Sequence, residues 1–365
     1  MSLITTRFTG RKCGTAFINA QLWAKMPQAE QVNLLGKIAG SPIPPGDISG
    51  RNVMIHLRSP IIDWTNEVFS LRLKGIIPDV RPDGTVSEHS GNGVDRHPFV
   101  VNESGILTCE QARQGTPEGG HFADIAEHEY HLADQFCPEH ADHALAFGSY
   151  DGIRYQFNGV DHKLGFVVFG VETADDFRLS SIFKSHLIGM LDNSDFPQIG
   201  QSFGQALARF HGVRDAYRGG YIHRYLHWGN IGLIASGLGG NSGTRVILRD
   251  FESTLSLNEL SPRQRIGYLF IDIAQSILLC QGMALNIPDY FGKTELELYF
   301  MQTYFGSEGI EAWSKMPDRN NFPAMLKQLK TDCIAGQAVD IVNFLNTHPQ
   351  PFFRFLGDYL GQHVL

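Results

Sequence analysis

His223-Arg-Tyr-Leu-His-Trp-Gly-Asn230 and, further on, Val246-Ile-Leu-Arg-Asp-Phe-Glu252 decide the reading of this chain. The first run holds two histidines and ends on an amide. The second ends on two carboxylates, Asp250 and Glu252. Between them, Ile231–Ile234 and Val246–Leu248 are short, branched, apolar runs that predict strands. A long helix is expected from Pro262 to Leu279, and the tail from Phe322 to Leu365 reads as helices with loops. The most apolar stretch, Gly267 to Leu285, is interrupted by Asp272, Gln275 and Gln281. That pattern predicts a buried core helix rather than a membrane span.

Upstream, Ile199–His211 carries Phe203, Ala206, Leu207 and Phe210 on one helical stripe. Phe122–Phe136 also predicts a helix, with Glu129 on the same face as Leu132, Ala133 and Phe136. Ala144–Phe147, Arg154–Phe157 and Phe166–Val171 predict strands, as do Val53–Leu57 and Val68–Leu73. In the last of these, Ser70, Arg72 and Lys74 alternate with Phe69, Leu71 and Leu73. A helix over Gln28–Ile38 runs into the break Ser41-Pro-Ile-Pro-Pro-Gly-Asp47. Residues 79–120 are glycine-rich with little periodicity and read as a long insertion, either a functional lid or simply mobile. The first half is strand-rich and the second helical, which predicts an α+β chain in two parts, 1–172 and 173–365.

Composition sets the outer bounds. The chain has 365 residues, 42% hydrophobic and 19% charged, so it folds rather than staying disordered. Its 30 basic and 38 acidic residues give a net charge of −8, which argues against nucleic acid as a partner. Five cysteines without a C-x-x-C pair fit a reduced, cytoplasmic protein. No membrane partner is expected. The histidines His121, His128, His131, His140 and His143 invite a zinc reading. His121 and His128 share a face, but no fourth ligand falls at a standard spacing, so a histidine-rich surface helix is expected instead.

The quoted strings resemble the catalytic loop and metal-binding strand end of the protein-kinase-like fold, H-R-D-x-x-x-x-N followed by D-F-G. They also resemble the H-x-D-x-H-x-x-N and D-F/W-E strings of aminoglycoside and choline phosphotransferase-type kinases. His223, Arg224, His227, Gly229, Asn230, Asp250, Phe251 and Glu252 fall in register. The resemblance runs over roughly residues 50–280 and implies a bilobal kinase-like fold with a strand-rich N-lobe and a helical C-lobe. It implies ATP as cofactor, with Mg2+ or Mn2+ held by Asn230 and Asp250, since a triphosphate needs a divalent cation with hard oxygen ligands. Lys74, in Leu71-Arg-Leu-Lys-Gly75, would pair with the phosphates, and Glu129 would hold Lys74. Asp272, in Phe270-Ile-Asp-Ile-Ala274, would brace the loop. On their own, Lys74 and Glu129 are also readable as solvated charges, with Glu127 as the control on the same helix. His223 is readable as a structural loop residue or a proton carrier.

Tyr225 stands where the kinase pattern has its catalytic Asp. A tyrosine of pKa ~10 is ionised in about one molecule in 10³ at neutral pH. General-base help worth ~10²–10⁴-fold must then come from elsewhere, from Asp250 or His227. Selenoprotein O-type AMPylases also lack that Asp and transfer AMP. Their L-x-L-K-G strand is similar to Leu71–Gly75, their helix start to His128-Glu-Tyr-His131, and their loop to His223–Asn230. Arg178, in Asp176-Phe-Arg-Leu179, resembles a hinge-proximal Arg of that family, which implies a nucleotide-binding role for it. Gly229 departs from the pattern in replacing an Asp, and the phosphate-loop glycines are open between Gly46 with Gly50 and Gly91 with Gly93. The implied function is an ATP-dependent transfer of a phosphoryl or adenylyl group to an unknown protein or small-molecule acceptor. A catalytically inactive pseudokinase, and a small-molecule phosphotransferase with a repositioned base, are the alternatives.

Overall fold

Alternating apolar residues in the first half pair into one antiparallel sheet. The computed structural model describes residues 2–49, 52–63, 65–88, 99–109, 117–157, 159–183, 186–213, 220–241, 243–292, 295–317 and 319–363. The sheet uses β1 (Leu3–Phe8), β2 (Gly14–Asn19), β3 (Ile48–Ser49), β4 (Asn52–Asp63) and β5 (Asn66–Lys74). Its other members are β8 (His121–Phe122), β9 (His143–Phe157) and β10 (Val160–Val171). The spatial order is β1-β2-β9-β10-β5-β4-β3, with β8 added to β10. Two short helices, α1 (Ala20–Lys25) and α2 (Gln28–Ile38), follow β2. The hairpin of β1 and β2 was not legible in the mixed composition of residues 1–50.

The two strands predicted over residues 144–157 are one strand, β9. Gly148 weakens the apolar pattern in its middle, yet the ladders to β2 and β10 continue on both sides. Gly148 is required there. A Cβ would lie 2.3 Å from the Thr15 carbonyl oxygen and 2.6 Å from the Phe166 ring.

Helix α3 (Ala123–Phe136) lies on this sheet and buries Ala126, Glu129, Tyr130, Leu132, Ala133 and Phe136. One core joins apolar residues of the sheet, among them Phe8, Ile18, Leu71, Leu73 and Phe166, to Leu22 of α1 and Leu34 and Ile38 of α2. A second, larger core joins the inner face of α3 and Val167 and Phe169 of β10 to the helical second half. β5 is therefore covered on both faces. Leu71 and Leu73 enter the first core, while Ser70, Arg72 and Lys74 are also buried, at 0%, 2% and 1% exposure.

The second half begins with α4 (Leu179–Ile182) and α5 (Asp195–His211). Then come β11 (Tyr221–Ile222), β12 (Ile231–Ile234), β13 (Arg245–Leu248) and β14 (Leu255–Ser256). β12 and β13 form an antiparallel ribbon in which Ile231 faces Leu248. Helix α6 (Pro262–Ala284) starts with a Ser261–Gln264 capping box and runs through the core. By length and composition it has the makings of a membrane span, but most of it is buried inside the fold. Around it pack α7 (Leu296–Phe305), α8 (Ser307–Ser314), α9 (Phe322–Ile334), α10 (Ile341–Thr347) and α11 (Pro351–His363).

The insertion 79–120 differs from its expected irregularity. It contains β6 (Phe99–Val101) and β7 (Ile106–Cys109), which join β15 (Val339–Asp340) in a small sheet of their own. Val101 and Leu107 are fully buried against the helical half. Strands of three and four residues are too short to show a period in sequence, and their partner is remote. Residues 89–98 and 110–116 of this segment lie outside the described residues.

Gly75, which ends β5, has φ +83°, and a Cβ there would lie 2.5 Å from the Cβ of His121 and 2.7 Å from the Gly165 oxygen. Gly75→Ala is expected to cost about 1–3 kcal/mol in strain and contact. Urea unfolding would show a lower midpoint with unchanged slope. Gly46→Ala, with nothing within 4 Å of its Cβ, is the control and should leave the midpoint in place.

Candidate active site

β5 delivers Lys74 into the interior just before the Gly75 turn. Its ammonium lies 2.8 and 3.1 Å from the two Glu129 oxygens and 3.0 Å from Asp250 Oδ1. Glu252 stands 3.5 Å away. An ammonium this deeply buried is costly unless it is paired on several sides. Glu129 comes from the inner face of α3, whereas Glu127 on the same helix has a side chain 57% exposed. His121 Nε2 lies 3.0 Å from Glu129 Oε2. Burial works against the Glu129 carboxylate, but the Lys74 ammonium and His121 outweigh it and hold its pKa down at about 2. Atoms of His121, Glu129 and Glu252 lie within 4.8 Å of one another. Lys74 already supplies positive charge to both carboxylates there.

A chain of alternating charges continues from this point. Arg72, two residues before Lys74 on the same face of β5, donates to Asp142 Oδ2 at 2.8 Å. Its Nη1 is 3.9 Å from Asp250 Oδ1. Arg249, at the end of β13, grips both Asp142 oxygens at 2.8 and 3.0 Å and also reaches Asp176. Arg178 donates to Asp176 at 3.0 Å, to Asp250 Oδ2 at 3.2 Å and to the Gly229 carbonyl. Burial opposes the Arg72 charge, but Asp142, Asp176, Asp250 and Glu129 raise its pKa above the ordinary arginine value. Burial likewise opposes Asp176, yet Arg249, Arg72 and Arg178 hold its pKa at about 2. Asp250 therefore sits under three cations supplied by both halves of the chain.

The loop beside Asp250 is braced from below. The Asp272 carboxylate in α6 accepts the backbone N–H groups of His223 at 2.6 Å and Arg224 at 2.9 Å. His223 is fully buried and donates from Nε2 to the Arg249 carbonyl at 2.8 Å, so its position is structural. Arg224 and Asp250 are the two non-glycine residues with positive φ among those described, at 64° and 58°. Such conformations persist where surrounding bonds over-determine them, and they gather at functional sites. The Arg249 N–H donates to the Asn230 carbonyl at 3.0 Å, which places Asn230 next to Asp250 across the ribbon. Asn230 donates its amide to the Tyr225 carbonyl at 2.9 Å. His227 is exposed, its Nδ1 accepts the Gly229 N–H at 3.0 Å, and its ring meets Tyr225 edge-on at 5.1 Å.

The structure thus brings Lys74, Glu129, Arg178 and Asp250 into one contact set, with Asn230 adjoining through the β12–β13 ribbon. His227 lies at the rim as a turn cap. Arg72, Asp142, Asp176 and Arg249 belong to the same network and were not singled out from sequence, and His121, read there only among the clustered histidines, belongs to it too. The signal for Arg72 was present, because it alternates with Lys74. Asp142 carried none, since Arg72 and Arg249 are 70 and 107 residues away, and the Arg249 partner of Asp176 is 73 residues away. Of the candidate phosphate-loop glycines, Gly50, Gly91 and Gly93 lie outside the described residues, and Gly46 occupies the turn Pro45–Asp47. The histidine-rich surface helix holds only for His128 and His131. His121, His140 and His143 are buried.

No protein-family model and no curated protein matches the chain. Among solved structures it is similar to WaaP in complex with acyl carrier protein. That likeness has 15% identity and a TM-score of 0.35, and covers 65% of this chain and 89% of that one.

Acid titration should expose the Glu129 pairing. Its carboxylate is held near 2, against an ordinary value of about 4.5. Its contribution to stability is complete above about 4.5 and is lost as pH falls toward 2. Glu129→Gln is therefore expected to flatten the fall in Tm between pH 4.5 and 2, measured beside the parent protein.

Proposed function

We propose that the chain is a nucleotide-dependent transferase of kinase-like fold, binding ATP with Mg2+ or Mn2+ between residues 1–172 and 173–365. The observation that carries this reading is the single buried ammonium of Lys74, shared between Glu129 of the first part and Asp250 of the second. An ion-paired lysine, a loop amide and a strand-end carboxylate are the recurring parts of ATP sites in which positioning and charge neutralisation do most of the work.

The donor set suits a hard divalent cation. Asp250 and Glu252 have side chains 13% and 24% exposed, so they are accessible from the cleft. Asn230 uses its amide nitrogen on Tyr225, and its side-chain oxygen accepts no hydrogen bond among the described residues. Asn230 and Asp250 would hold the ion, which when bound neutralises phosphate charge. Lys74, held by Glu129, offers its ammonium to phosphate oxygens. Arg178 brings a second cation from the other side of Asp250. Lys74 and Arg178 both contact Asp250, and both would be placed to turn toward phosphate oxygens if Asp250 held the ion.

Tyr225 does not supply a carboxylate base. Asp250 and His227 are the groups assigned to accept a proton from the acceptor. With Nδ1 of His227 accepting the Gly229 N–H, the neutral ring carries its proton on Nε2, so His227 takes a proton only through Nδ1, after giving up that contact. The transferred group is phosphoryl or adenylyl, the acceptor is a protein or a hydroxylated small molecule, and the setting is the cytoplasm.

Incubation with ATP and Mg2+ or Mn2+, followed by intact-mass analysis of the protein and of candidate acceptors, tests this reading. A phosphate or an adenylate adduct is expected, and its mass identifies the group transferred. Asp250→Asn is expected to lower its rate by at least ~10²-fold, and Lys74→Met to weaken nucleotide-dependent thermal stabilisation. Stabilisation by nucleotide with no adduct on any acceptor would instead make the chain a pseudokinase. An adduct that persists undiminished in Asp250→Asn would contradict the assignment.

A further inference from the structure

A second cluster of chemically capable side chains lies at the other end of α3, and the proposed transferase does not use it. Asp63 ends β4, Cys137 caps α3, and His143 opens β9. One ligand atom from each lies within 4.8 Å of the other two. Asp63 and His143 are 5% and 1% exposed, and Cys137 is half-buried. His143 Nδ1 is 2.7 Å from Asp63 Oδ2, and its Nε2 is 2.8 Å from Glu172 Oε1. Glu172 is fixed in turn by Asn66 at 2.9 Å and by Arg245.

We propose that Asp63, Cys137 and His143 form a zinc site, with Glu172 orienting the His143 ring. Carboxylate oxygen, thiolate and imidazole form a donor set that zinc takes in tetrahedral geometry, and three protein ligands leave one position for water. A carboxylate on the far nitrogen of a ligating histidine is the usual support that fixes its tautomer and orientation. Here Glu172 is already in that place.

A second observation points the same way. A polar cavity of about 570 Å³ adjoins the cluster and is lined by Asn66, Pro138, His140 and Arg245 among others. Pro138 follows Cys137, and Asn66 and Arg245 both hold Glu172, so the cavity lies beside the residues that surround the site. His140 is 3% exposed, and neither of its ring nitrogens has a hydrogen-bond partner among the described residues. Cys137, His140 and His143 recur at three-residue intervals, so the His140 imidazole, 3.9 Å from the Glu139 carboxylate, stands between two ligands in sequence and lines the cavity.

This set is not legible from spacing along the chain, because Asp63 comes from the β4–β5 hairpin, remote from Cys137 and His143. An ion there would tie the C-terminal end of α3 to β4 and β9. The same helix presents Glu129 to Lys74, so the site would steady the helix without touching the nucleotide.

Titration of the metal-free protein with Co2+ alone, with competition by Zn2+, tests the proposal independently of any nucleotide. One equivalent should bind with a thiolate-to-cobalt charge-transfer absorption that Zn2+ abolishes, and Zn2+ should raise Tm. Cys137→Ala removes no ion pair and should keep the fold by circular dichroism while losing the absorption. Glu172→Gln should weaken binding about 10–100-fold. The double variant His128→Gln/His131→Gln, which alters only exposed histidines, should bind as the parent does. The absence of a thiolate band would overturn the proposal and leave His143 as an imidazolium between two carboxylates. Binding that survives Cys137→Ala but fails in the His128/His131 variant would overturn it in favour of adventitious surface binding.

Discussion

One buried ammonium organises the molecule. Lys74 is almost wholly removed from water, and such a charge is tolerable only while carboxylates from two directions surround it. Glu129 answers from α3 and Asp250 from the end of β13. Removing either partner leaves a buried charge uncompensated, typically a loss of about 3–5 kcal/mol. Such a pairing is weak as a source of net stability. Its value lies in registration, because it fixes strand, helix and ribbon relative to one another.

The neighbouring charges extend the same logic. Asp142 joins Arg72 to Arg249, and Asp176 joins Arg249 to Arg178, which returns to Asp250. The backbone strain at Arg224 and Asp250 falls inside this region, where Asp272 and the Arg249 carbonyl hold the loop. These ion pairs fix the side chains in register with one another. Preorganised charge of this kind is what phosphate chemistry requires, since the protein's contribution there is mainly positioning and electrostatic stabilisation. α3 links the two ends of this arrangement, with Glu129 in its middle and Cys137 at its close.

Much of the framework was legible in the residues. The helices over Gln28–Ile38 and Phe122–Phe136, the strands Ile231–Ile234 and Val246–Leu248, and the long helix from Pro262 followed from periodicity and residue type. Burial of Glu129 against exposure of Glu127 was readable from helical phase alone. What escaped was non-local. β1 and β2 lie at a sheet edge with mixed composition. β6 and β7 are too short to show a period, and their partner strand is more than two hundred residues away. The charge relay through Asp142 and Asp176, and the meeting of Asp63 with Cys137 and His143, depend on chain ends that only the folded topology brings together. Tyr225 was visible as the departure from the kinase pattern. Its neighbour His227 shows why a residue type alone does not fix a role, because its Nδ1 is spent on a turn.

The most direct test of the central claim is a crystal structure with a non-hydrolysable ATP analogue and Mg2+. The account predicts the Lys74 ammonium on a phosphate oxygen while still paired to Glu129, and Asp250 and Asn230 on the metal, with Arg178 released from Asp250. Nucleotide bound elsewhere, or a cleft in which Lys74 and Asp250 stand too far apart to serve one triphosphate, would contradict it.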